Sequence, residues 1–148
     1  DTFLQLVNPS TGAIINTSSG TYYHANSLTF NASTNEILIA NYYADEGYSK
    51  TITVLNSNDL SLKTTRTYDN VSNGIMSVCA DNDTVYLADL GTLTSIYTVN
   101  DASATLLITL PISTKQNIYI HNDIIYAIGN YGTLWMFDMN GVLLNNSQ

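Results

Sequence analysis

The chain has 148 residues and a net charge of −8, with 45% hydrophobic and only 11% charged side chains. Its four basic residues, Lys50, Lys63, Arg66 and Lys115, are scattered, which excludes the phosphate-neutralising patch of a nucleic-acid binder and disfavours an anionic membrane surface. No apolar run approaches the roughly 20 residues of a spanning helix, so membrane insertion is not expected.

With so few charges, the surface must be built from 18 Asn, 14 Ser, 19 Thr and 11 Tyr. That composition suits an extracellular or cell-surface protein; cytosolic enzymes carry about 25% charged residues. Asp1 opens the chain with neither an initiator Met nor a basic-then-apolar leader, as expected of a mature or trimmed N-terminus.

The first element is a hairpin: a strand ending in an Asx residue, a tight polar turn, and an apolar residue six positions after the Asx. It runs Asn8 to Ile14 and returns at Asn56 to Leu62, Asn100 to Leu106 and Asp138 to Leu144. The Asx residues are 48, 44 and 38 apart, the spacing of four-stranded β-propeller blades. A second hairpin precedes three of them. Its strands are Ser27 to Phe30 with Glu36 to Asn41, Ile75 to Cys79 with Thr84 to Asp89, and Asn117 to Ile120 with Ile124 to Gly129. These runs are short, β-branched or aromatic, and bounded by Asn, Asp and Gly, which marks strands rather than helices.

Naming the strands of a blade a to d from the inside outward, the chain reads c-d, then a-b-c-d three times. The expected fold is all-β: a half blade at 1–20 and complete blades at about 21–68, 69–111 and 112–148, forming one partial or assembly-completed propeller. A β-sandwich has similar strand spacing but no reason to repeat its hairpins in register. Leu28, Phe30, Met76, Val78, Ile118 and Ile120 are expected in the core at matching inner-strand positions, and the lone Cys79 as a small apolar filler.

Ile37-Leu38-Ile39-Ala40-Asn41-Tyr42 followed by Thr51 to Ser57 resembles the YVTN-type β-propeller repeat. Val85 to Asp89 with Thr98 to Asn100, and Ile125 to Ile128 with Trp135 to Asp138, follow the same template more loosely, and Asn8 to Ile14 looks like its Thr-Gly hairpin. The resemblance spans nearly the whole chain. It implies surface-layer or cell-envelope proteins on one side and propeller lactone hydrolases on the other. Pyrroloquinoline-quinone propellers share the Thr-Gly hairpin, but the tryptophan expected after it is missing from every copy, so that cofactor is not inferred.

The longer loops fall at d-to-a and b-to-c connections, which share one face of a propeller. Asp45, Glu46, Asp69 and Asp89 are its candidate oxygen ligands, suited to Ca²⁺, although Asn and Asp are also the ordinary residues of turns. His24, Asn26, Asn70, Asn73, Lys115, Gln116 and Asn130 lie near the same face. His121 lies opposite His24, which disfavours a shared zinc. No nucleophile elbow is present, so no catalytic residue is assigned. Sequons at Asn16, Asn31, Asn70, Asn82 and Asn145 fall at strand ends or turns, where a glycan reaches solvent. Tyr86 and Tyr126 occupy equivalent b-strand positions and read as packing. Tyr42, Tyr43, Tyr48, Tyr68 and Tyr131 form an expected rim for protein or carbohydrate.

The leading expectation is a non-enzymatic extracellular or cell-surface module for structure or adhesion, binding through its long-loop face and open strand edges. It self-associates or is completed by a partner chain. The alternative is a lactonase-like propeller hydrolase with a metal or acid/base group at the channel mouth.

Overall fold

The computed structural model describes residues 3–20, 22, 25–44, 47–129 and 132–147, with the backbone alone at 43, 44, 47, 48, 115 and 116. Among them are fourteen strands and no α-helix. Strands β1 (Gln5–Val7) and β2 (Ile14–Thr17) form a two-stranded sheet. Three antiparallel four-stranded meanders follow: β3 (Ala25–Asn31), β4 (Glu36–Ala44), β5 (Gly47–Asn56) and β6 (Leu62–Thr67); β7 (Ile75–Asp81), β8 (Thr84–Asp89), β9 (Thr94–Val99) and β10 (Ala104–Leu110); β11 (Thr114–His121), β12 (Ile124–Gly129), β13 (Leu134–Asp138) and β14 (Leu143–Ser147). The chain is a leading half blade and three complete blades of a β-propeller, with the ring left open.

Each c-to-d hairpin is made by its Asx residue. Asn8 Oδ1 accepts the backbone N–H groups of Ser10 and Thr11, Asn56 Oδ1 that of Asn58, Asn100 Oδ1 those of Ala102 and Ser103, and Asp138 Oδ1 those of Asn140 and Val142. The short side chain satisfies turn amides that no ladder reaches, so the residue type recurs while the turn sequence drifts.

Alternation along the strands gives each blade two faces, and the faces between blades are filled. Leu38, Ala40, Ile52 and Val54 of the first blade meet Val78, Leu87 and Tyr97 of the second. Cys79, Tyr86, Ala88 and Ile96 on the other face of the second meet Ile118, Ile120, Ile125, Ala127 and Phe137 of the third. The inner strands are also clasped by hydroxyls. Ser27 Oγ accepts the Val78 N–H at 3.1 Å and donates to the Val78 carbonyl at 3.0 Å. One blade on, Ser77 Oγ treats Ile118 the same way, at 3.1 and 3.4 Å.

Met76, Val78, Ile118 and Ile120 are buried as expected, but Leu28 and Phe30 are 58% and 53% exposed. The inner-strand position is the same; its cover differs. The half blade lays Leu4 and Leu6 against Ile39, Leu55 and Leu60. That shields the outer part of the first blade's leading face and leaves β3 bare.

Candidate functional site

The loop face brings fewer of the expected residues together than their sequence positions suggest. Asp45, Glu46, Tyr131, His24 and Asn130 lie outside the described residues. Tyr43 pairs with Tyr48 where β4 and β5 extend beyond the sheet, and Tyr42 is half-buried. Tyr68 is not on a rim at all. It is 1% exposed in the core between the first two blades, and its hydroxyl donates to the Asn100 carbonyl at 3.0 Å. Burial there pushes its phenol pKa up.

Asp89 is fully buried, and its carboxylate is occupied by donors from β9 and from the β6–β7 connection. It accepts the Ser95 N–H at 2.9 Å, Asn73 Nδ2 at 3.1 Å and the Tyr97 hydroxyl at 3.4 Å. Asp69 is exposed, and its backbone carbonyl takes the Lys50 ammonium at 3.2 Å. Among the described residues, no group of three or more His, Cys, Asp and Glu is placed to hold a metal ion.

The sequons are not equivalent. Asn31 is buried, and its Oδ1 takes the Ser33 N–H and hydroxyl to close the β3–β4 turn. Asn16 and Asn70 donate their amides to the carbonyls of Asp59 and Ala104. Asn82 sits exposed at a turn with φ of +52°, and Asn145 is exposed on β14. These last two present their side chains most freely to solvent.

Charge is concentrated at the first blade's edge. Glu36, with a side chain 7% exposed, takes Lys63 at 2.7 Å and Arg66 at 3.4 Å, and Arg66 reaches Asp101 of the second blade at 2.8 Å. Burial pushes the Glu36 carboxyl up. The hydrogen bonds from Lys63 and Thr34 and the nearby charges outweigh it and hold the group below its usual range. Cys79 lies between the second and third blades, where burial pushes its thiol up to about 12. A thiol so protonated is a poor nucleophile.

The least satisfied surfaces are the two ends of the blade stack. At the leading end, Phe3 and Leu28, 62% and 58% exposed, line a cavity of about 350 Å³, and Phe30 on the same strand as Leu28 is 53% exposed. At the trailing end, the face of β11–β13 turned away from the second blade carries Tyr119, Ile128 and Leu134, exposed at 56%, 41% and 37%. Tyr119 lies against Tyr126 there, with ring centroids 6.2 Å apart. The open ends were expected from the unfinished blade pattern, but the Ser27 and Ser77 clasps were not singled out from sequence. The signal for the clasps is one hydroxyl at the same place in two inner strands.

No family model matches the chain, and no curated protein matches it. Among solved structures, it is similar to the crystal structure of a computationally designed protein, Ika8, with a TM-score of 0.56 and 15% identity over 97% of this chain and 42% of that one. The likeness is one of fold. The chain spans about two fifths of the designed protein's length.

Proposed function

We propose that the chain is a structural or adhesive β-propeller module of an extracellular or cell-surface protein, working by assembly rather than by catalysis. One observation carries this reading: both ends of the blade stack are apolar and open, while the faces between blades are closed by the same kinds of residue. Contiguous apolar surface rimmed by polar residues is characteristic of association sites. The trailing face is a whole four-stranded sheet with Tyr119, Tyr126, Ile128, Leu134 and Met136 on one side, and another copy of the chain covers it in this reading. The low charge and the Asn, Ser, Thr and Tyr surface support an extracellular setting, as does the resemblance to the surface-layer branch of YVTN-type propellers.

Light scattering across a concentration series tests it. The molar mass is expected to rise above that of the monomer, and Tyr119→Asp combined with Ile128→Asp to restore the monomer. A wild-type chain that stays monomeric throughout would contradict the proposal.

A further inference from the structure

We infer that a cavity between the leading half blade and the first complete blade is a binding site for one uncharged sugar unit, a neutral hexopyranose. The cavity measures about 320 Å³, which falls in the range of roughly 300–1,000 Å³ typical of small-ligand sites. Four hydroxyls border it, from Ser19, Tyr22, Thr53 and Thr65, with the apolar side chains of Leu60 and Leu62 beside them. None of its described lining residues is charged. The pairing of β5 with β6 sets Thr53 opposite Thr65 and Leu55 opposite Leu62, on the sheet face turned toward the half blade. Thr64, opposite Val54, belongs to the other face, which packs on the second blade.

Tyr22 decides the chemistry. Its side chain is 6% exposed and packed with Ile39, Leu55 and Leu60, yet among the described residues its hydroxyl has no hydrogen-bond partner. A phenol buried to this depth normally has one. The oxygen lies beside Gly20, where a Cβ would stand 3.1 Å from it, so the missing side chain keeps the oxygen open to the cavity. Thr53 Oγ1 accepts Asn41 Nδ2 at 2.8 Å, which leaves its own proton to donate. A pyranose ring matches this set, with its C–H face on Leu60 and Leu62 and its hydroxyls on Tyr22, Thr53 and Thr65. A carboxylate or ammonium would lose its hydration there without meeting an opposite charge. A purely aliphatic ligand would leave the hydroxyls unpaired. Sugar hydroxyls instead reproduce the hydrogen bonds of the waters they displace. Such binding goes beyond assembly and does not depend on it.

Saturation-transfer NMR titration of the intact chain tests this, with the methyl α-pyranosides of glucose, galactose and mannose as ligands and glucuronate as the charged comparison. At least one methyl hexoside is expected to bind saturably with a millimolar dissociation constant, and glucuronate at least ~10-fold more weakly. Tyr22→Phe, which removes only the unpartnered hydroxyl, should weaken the binding about 5-fold, the effect of one hydrogen bond. Thr65→Val, at an exposed position where folding is not at stake, should weaken it by a similar factor. Thr64→Val, on the opposite face of β6, should leave it unchanged. Absence of saturable binding by all three hexosides overturns the inference. So does glucuronate binding equal to theirs, or a loss in Tyr22→Phe and Thr65→Val no greater than in Thr64→Val. Self-association is followed separately by light scattering, so a failed sugar site and a failed assembly module give different results.

Discussion

The Ser27 hydroxyl grips the peptide groups of Val78 on both sides, accepting the N–H at 3.1 Å and donating to the carbonyl at 3.0 Å. Inner strands of a propeller have one edge without a strand partner, and buried backbone groups must be paired. One hydroxyl meets both needs and fixes the register between blades. Ser27→Ala and Ser77→Ala are each expected to cost about 1–3 kcal/mol in denaturant melts, because each leaves buried groups unsatisfied. Losses below about 0.5 kcal/mol at both sites, the range of ordinary surface substitutions, would show that the clasps are incidental.

The Glu36 network predicts a specific acid sensitivity. Its carboxyl titrates lower in the folded chain than at its ordinary value of 4.5. The folded state therefore binds a proton there less readily than the unfolded state, and stability rises with pH through that window. The contribution is complete above 4.5 and is lost as pH falls through the depressed folded value. Glu36→Gln should flatten the stability profile in that acid range alone. Equal slopes for wild type and variant would contradict the assignment.

Gly12 and Gly141 separate backbone strain from packing. Both have positive φ, +70° and +79°, but a Cβ at Gly12 meets open space while one at Gly141 runs into the Ile108 side chain. Gly12→Ala is expected to cost about 1 kcal/mol for the left-handed conformation, and Gly141→Ala slightly more, because the Cδ1 end of Ile108 has to turn aside. Ile108→Val should recover part of the second loss and none of the first.

Cys79 should be silent to thiol reagents at pH 8 in the native chain and react fully on unfolding, since its thiol is buried and its pKa raised to about 12. Rapid labelling under native conditions would mean that the second and third blades separate readily.

The Asx hairpins were legible because Asn8, Asn56, Asn100 and Asp138 act on their own neighbouring amides, a chemistry contained within a few residues. Strand identity and alternation were legible for the same reason. What lies on top of a strand is not a local property. Leu28 and Ile118 share one register position, yet the first is exposed and the second buried, because a blade packs in front of one and only an outer pair in front of the other. Tyr68 and Asp89 read as loop-face residues because they end strands. Their burial depends on Asn100, Asn73 and Ser95, which the fold brings to them.

Hydroxyl-radical footprinting at low and high protein concentration tests the central claim most directly, since it reads the trailing face residue by residue. Tyr119, Ile128 and Leu134 should lose reactivity as the chain assembles, while Leu106, 56% exposed on β10 of the middle blade, keeps it. Unchanged reactivity of Tyr119 in an assembled sample would place the contacts elsewhere and contradict the account.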